Sequence, residues 1–155
     1  MTTDPTRPIG EAGATHRSTA SSAYFDIMAI AAALPETAQT MLVDTRLTDE
    51  PAASSRIFRA YHPVPRHYHA TCDEYLYLLS GRTTFSVDDG PPRELRPGQM
   101  VFFKRGVVHA IPELLEHPVI FLTVDTPRRD PRDVIFVDPA SATVESFIQS
   151  RIMAA

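Results

Sequence analysis

Short runs in which apolar and polar residues alternate recur along most of this 155-residue chain, each cut off by proline, glycine or aspartate. Alternation of period two is the mark of a strand with one buried face. It predicts an edge strand over 39–47, with Met41, Val43 and Thr45 against Leu42 and Asp44, then a loop over 49–55 and a second strand over 56–62. Pro63-Val64-Pro65 forces extended backbone and predicts an exit from regular pairing. Tyr75-Leu76-Tyr77-Leu78 reads as a strand stopped by the turn residues Ser80-Gly81. Further strands are predicted over 83–87, 94–96, 100–103 and 107–111. A buried strand follows Pro118 over 119–124, and a late one covers 134–137.

Two stretches carry helical spacing instead. Residues 24–34 are apolar and alanine-rich, with Asp26 placed to cap the start and Pro35 to end the helix. Such a helix would lie across an outer face of the sheet. Near the other end, Asp138 as N-cap, Pro139 in the first turn and Val144, Phe147, Ile148 and Ile152 at helical intervals predict a C-terminal helix. Residues 1–22 are rich in Ser, Thr, Ala, Pro and Gly and cannot bury enough surface to offset their ordering entropy, which predicts a flexible N-terminal tail. The rest, 23–155, reads as one all-β domain, an antiparallel sandwich or barrel.

Candidate chemistry centres on the run from His67. On a strand, His67 and His69 point into one space. A bend after them would bring in a carboxylate, either Glu74 or its neighbour Asp73, and His109 is the candidate fourth ligand. Two or three neutral imidazoles with one carboxylate suit Fe(II), Mn(II), Ni(II) or Zn(II). Cys72, lying between these residues, is a soft donor in reach or an uninvolved thiol, and His62 faces the cavity or the surface. Tyr61, Tyr75, Tyr77, Met100, Phe103, Ile111 and Phe121 are candidates for the wall of a substrate pocket, or plain core.

The spacing His67-x-His69, four residues, Glu74, six residues, Gly81 resembles the first motif of the cupins. Gly98, five residues, Lys104-Arg105-Gly106, two residues, His109 resembles their second. Tyr61, Lys104 and Glu113 depart from that pattern, standing where it has Gly, Pro and Asn; none of the three positions holds a metal ligand in the family. The resemblance implies a double-stranded β-helix (jelly-roll) barrel holding one divalent transition metal on His67, His69, Glu74 and His109. In its register Glu74 is the ligand and strand alternation turns Asp73 away. Among cupin activities it makes an iron(II)-type dioxygenase acting on a small organic or aromatic substrate the leading expectation. A metal-dependent isomerase or lyase on a sugar or keto acid, or a non-enzymatic binding protein, is the alternative. It also implies a homodimer.

Composition narrows the partners. With 43% hydrophobic and 22% charged residues and a net charge of −4, nothing points to nucleic acid or an anionic membrane. One cysteine excludes an intrachain disulfide framework. The apolar run 27–34 is too short to span a bilayer and lacks the flanks of a secretory signal, so a cytoplasmic protein is expected.

Overall fold

The computed structural model describes residues 21–152. In chain order its elements are α1 (Ile27–Ala32), β1 (Leu42–Glu50), β2 (Ala53–Ala60), β3 (Val64–Tyr68), β4 (Asp73–Val87) and β5 (Arg93–Leu95). There follow β6 (Met100–Phe103), β7 (His109–Ile111), β8 (Leu114–Thr126), β9 (Ile135–Phe136), α2 (Val144–Phe147) and β10 (Ile148–Ile152). The strands join in the order β10-β1-β2-β8-β4-β7-β3-β9, with β5 and β6 also on β4. Strand β4 belongs to both halves of the curled sheet. Its first part pairs with β6 and β8, and its far end, at Ser86 and Val87, pairs with β7. The result is the expected double-stranded β-helix, and its two layers enclose the main core of Phe58, Leu76, Leu78, Phe85, Phe103, Phe121 and Phe136.

Helix α1 begins where the sequence indicates. Asp26 caps it, accepting from the amide of Ala29 at 3.1 Å. Ala31 and Leu34 pack with Val43, Ile57 and Ile120 on the outside of the sheet. Burying such an aliphatic side chain contributes about 1.5–3 kcal/mol, more than a six-residue helix could gain from propensity.

Four expectations are corrected. Strand β1 is not an edge, because β10 pairs with it in parallel, Leu42 opposite Ile148. The predicted C-terminal helix is therefore only α2. Thr143 caps that turn in a reciprocal bond with Ser146, while the Asp138 carboxylate accepts from Ala140 in a local turn. From Ile148 onward the free side of β1 supplies a full ladder, which outweighs the weak helical pattern of a segment rich in β-branched residues. Pro63-Val64-Pro65 does not leave the sheet either. Val64 pairs with Ile111, and Pro65 falls in the register shift before His67, where no donor is required.

The fourth correction concerns Ser80-Gly81. These residues bend β4 without ending it, and the pairing with β8 shifts register on both sides of them. Gly81 sits at φ +81°, and a Cβ there would collide with the carbonyl oxygens of Pro118 and Glu116. A Gly81→Ala protein should lose about 2–3 kcal/mol of stability, read as a fall in thermal midpoint of roughly 4–10 °C. An unchanged midpoint would mean the bend tolerates another backbone conformation. The tail expected over 1–22 lies almost wholly outside the described residues. Among those described, no helix is long and apolar enough to cross a membrane.

Candidate metal centre

Strand β3 delivers His67, the turn after it His69, the start of β4 Glu74, and the start of β7 His109. His67 and His109 are direct cross-strand partners. All four side chains are buried. One ring nitrogen from each of His67, His69 and His109 lies within 4.8 Å of the other two. The Nδ1–H of His67 donates to Pro65 O at 2.7 Å, that of His69 to Asp133 O at 2.6 Å and that of His109 to Val107 O at 3.0 Å. With Nδ1 committed in each ring, the Nε2 lone pairs are left to converge, the tautomer that metal ligation requires.

Glu74 lies against this cluster without belonging to the set of mutually close atoms. Its Oε2 is 3.0 Å from His69 Nε2, and its Oε1 accepts from the Thr123 hydroxyl at 3.3 Å. Buried Oε2 has no hydrogen-bond partner. Two acceptors this close in a dry interior require a shared proton or a cation between them. Three converging imidazoles beside an orphaned carboxylate oxygen therefore fit a divalent metal ion.

Burial, reinforced by the neighbouring rings, lowers His67 well below its ordinary value and brings His109 down to about 3. Burial alone would raise the Glu74 carboxyl, but His69 and Arg56 outweigh it and hold the group well below the carboxylate range. The consequence for stability has a definite sign. An unfolded histidine takes up its proton near pH 6.5 and these two resist it, so the metal-free protein should weaken as pH falls from about 6.5 toward 3. Glu74 acts in the same sense at lower pH, whereas Asp125, raised by its own burial, acts against it. The expected loss is a few kcal/mol, on the order of one for each unit by which a histidine is displaced. Urea midpoints at pH 7.5 and 5 measure it, and equal midpoints would show that these rings are not held neutral by the fold.

The proposed pocket wall is placed differently. Ile111 lines the cavity, and Phe103 stacks on the His109 ring with centroids 3.8 Å apart. Phe121 is core, stacked on Phe58 and away from the cavity lining. Tyr75 and Tyr77, each 39% exposed, and Met100, 58% exposed, lie on the outer face. Period two makes this unavoidable, since Glu74 points inward and residues 75 and 77 must then point outward. Cross-strand pairing carries Met100 out with Tyr77 and Phe103 in with Glu74. Tyr61 is also outside, packed beside α1 with its hydroxyl donating to Pro35 O.

Other candidates resolve as plainly. Asp73 faces outward and accepts from the backbone and side chain of Arg105 at 2.9 and 3.0 Å. His62 is exposed and donates to Ala38 O. Cys72 is buried outside the histidine cluster, and burial pushes its thiol up.

The sequence reading missed a buried charged layer beside the three histidines. Arg56 has Asp44 Oδ2 at 3.2 Å, Asp125 Oδ2 at 3.2 Å and Glu74 Oε1 at 3.8 Å. Arg129 is buried next to it. The run 128–133, charged at every position but Pro131, is tied down at both ends. Arg128 donates twice to Asp49, and the Asp133 carboxylate accepts from Ala70 N, Thr71 N and Thr71 Oγ1, fixing the turn that carries His69. A signal was present, because Arg56 shares the inward phase of Phe58 and Ala60, and Asp125 that of Phe121 and Thr123.

These features enclose a cavity of about 20 Å³, room for one water-sized molecule. Its lining combines His67, His69, His109, Glu74, Arg56 and Arg129 with apolar residues, among them Leu76, Phe85 and Phe147.

Comparison with known proteins agrees with this architecture. A search of curated proteins finds no relative. Among solved structures, an uncharacterized conserved protein with a double-stranded β-helix domain from Klebsiella pneumoniae superposes with a TM-score of 0.59 at 17% identity, covering 70% of this chain and 93% of the other. A putative mannose-6-phosphate isomerase from Ralstonia eutropha gives 0.54 at 18% identity, covering 63% and 94%. The DMSP lyase DddQ from Ruegeria pomeroyi gives 0.51 at 24% identity, covering 60% of this chain and 47% of the lyase. At such identities the likeness is one of fold. Residues 59–125 match the family described as the cupin domain, a span that contains all four of the residues converging here. With that match, the double-stranded β-helix and the buried histidine cluster, residues 59–125 are a cupin domain.

Proposed function

We propose that the protein binds one divalent transition metal, iron(II) foremost and Mn, Ni or Zn otherwise, through His67, His69, His109 and Glu74, and that it is a small metal-dependent oxygenase. When bound, the ion would supply open coordination positions for an organic substrate and dioxygen. The chain's own part is to hold three imidazoles in one tautomer, to place one buried carboxylate beside them, and to keep water out with Phe58, Leu76, Phe85, Ile111 and Phe147.

The carrying observation is the chemistry of the cavity lining. Beyond the four proposed ligands, its ionisable side chains are Arg56 and Arg129, and a guanidinium does not give up its proton. An isomerase or lyase working on a carbon acid requires a base within reach of that carbon. The tyrosines that could have served, Tyr61, Tyr75 and Tyr77, lie outside. Chemistry at a metal with open positions makes no such demand. The small volume of the cavity also favours a small substrate over an aromatic one.

Oxygen uptake by the iron(II)-loaded protein, measured across a panel of small organic acids, alcohols and thiols, tests this. Substrate-dependent uptake supports the proposal. Turnover that continues under argon would transfer the protein to the isomerase or lyase class, and saturable binding with no turnover would make it a binding protein. The expected homodimer belongs to the same proposal, and sedimentation at twice the 17.2 kDa chain mass would support it.

A further inference from the structure

The two buried arginines beside the ligands are not equivalent. Each nitrogen of Arg56 has a carboxylate oxygen within 4 Å, although the approach at Nε is too bent for a hydrogen bond. Arg129 is 1% exposed, and the acid it pairs with is Asp125, 3.8 Å from its Nε through the same Oδ2 that already lies 3.2 Å from Arg56. Its Nε and Nη1 are both buried without a hydrogen-bond partner. Its backbone amide is engaged with Ser54 Oγ, so the residue is fixed in place while its head group is not satisfied. Arg129 lines the same cavity as the three histidines.

A permanently charged fork with unpaired donors, buried against a cavity, is a poor structural element and a good anion receptor. Charge points the same way. Two guanidiniums here face three carboxylates, those of Asp44, Asp125 and Glu74. A divalent ion on the histidines turns that deficit of one into an excess of one positive charge, which a monoanion would cancel. A carboxylate is planar and matches a guanidinium edge.

We infer that Arg129 is a specificity-determining residue that holds the carboxylate of the substrate, and that the site takes a small carboxylic acid. This rests on reading the cavity as a substrate site, and it goes beyond that reading by naming the substrate class.

Calorimetric titration of the metal-loaded protein with acetate, glycolate and pyruvate, with the matching neutral amides, and with inorganic phosphate provides the test. Wild type is expected to bind at least one of the acids saturably, and about tenfold or more tighter than its amide. Arg129→Met should lose about ten- to a hundredfold in affinity for that acid while holding as much metal per chain as wild type. Arg129→Lys, which keeps the charge but not the planar fork, should fall between them.

Equal affinity for acid and amide in wild type, tighter binding of phosphate than of every acid, or an Arg129→Met protein that retains both metal and acid affinity would each overturn the assignment. Should Arg129→Met fail to fold, the acid-to-amide ratio in wild type and in Arg129→Lys decides the matter. The metal reading fails separately. A protein that holds no metal, yet prefers acid to amide in a way that Arg129→Lys weakens, would sink that reading and leave Arg129 in its role.

Discussion

Alanine at position 69 is expected to strip the metal from the purified protein, lowering its affinity by well over about a hundredfold, since even residues that only orient metal ligands cost ten- to a hundredfold when lost. His69 carries more of the site than its two partners do. Its Nε2 faces the orphaned Oε2 of Glu74, and its Nδ1–H is anchored on Asp133 O. Removing the ring deletes one donor, leaves Glu74 to Arg56 and Thr123, and breaks one of the bonds between this turn and Asp133, whose carboxylate still holds Ala70 and Thr71. The barrel itself should survive, because its core and strand ladders lie elsewhere. Elemental analysis of wild type and His69→Ala, alongside their circular dichroism spectra, checks both halves. Full metal content in the variant would remove these histidines from any metal site.

The largest effect on stability should come from Arg56→Met. Methionine fills much the same space, yet it abandons Asp44, Asp125 and Glu74 in the interior, where one guanidinium now serves all three. Breaking a buried ion cluster from one side costs about 3–5 kcal/mol, because the stranded charges are uncompensated. For a chain of this size that is a fall of roughly 6–20 °C in thermal midpoint. Replacing Asp44 by Asn in the same protein should return part of the loss by removing one of the stranded charges. Thermal melts of the single and double variants decide it. A single variant within about 1 kcal/mol of wild type would mean that water or proton uptake satisfies the carboxylates instead.

What was legible in the sequence follows from what is local. The Asp26 cap, the spacing of His67, His69 and Glu74 and most of the strand alternation are set within a few residues, and these appear in the structure where the pattern indicates. Phase was the first thing lost. Tyr75 and Tyr77 look like pocket residues by composition, but Glu74 beside them dictates that they face away. Long-range pairing was the second. Nothing near Ile148 announces that the free side of β1 awaits it a hundred residues back in the chain. Charge was the third. Arg129 and Asp133 sit in a run of aspartate, proline and arginine that has the composition of a solvated loop, and only the fold shows that one is buried and the other clamps the turn bearing His69.

The short C-terminal turn α2 bears on more than topology. Phe147 lies with its ring 5.2 Å from that of His67 and edge-on to Phe136 at 5.7 Å, and it closes one side of the cavity. It comes from a four-residue turn held by its cap and by β10, not from the strands that carry the histidines. Position 147 thus works as a dial on capacity. Trimming it to leucine or alanine would enlarge the chamber while leaving all four converging side chains, His67, His69, Glu74 and His109, in the chain.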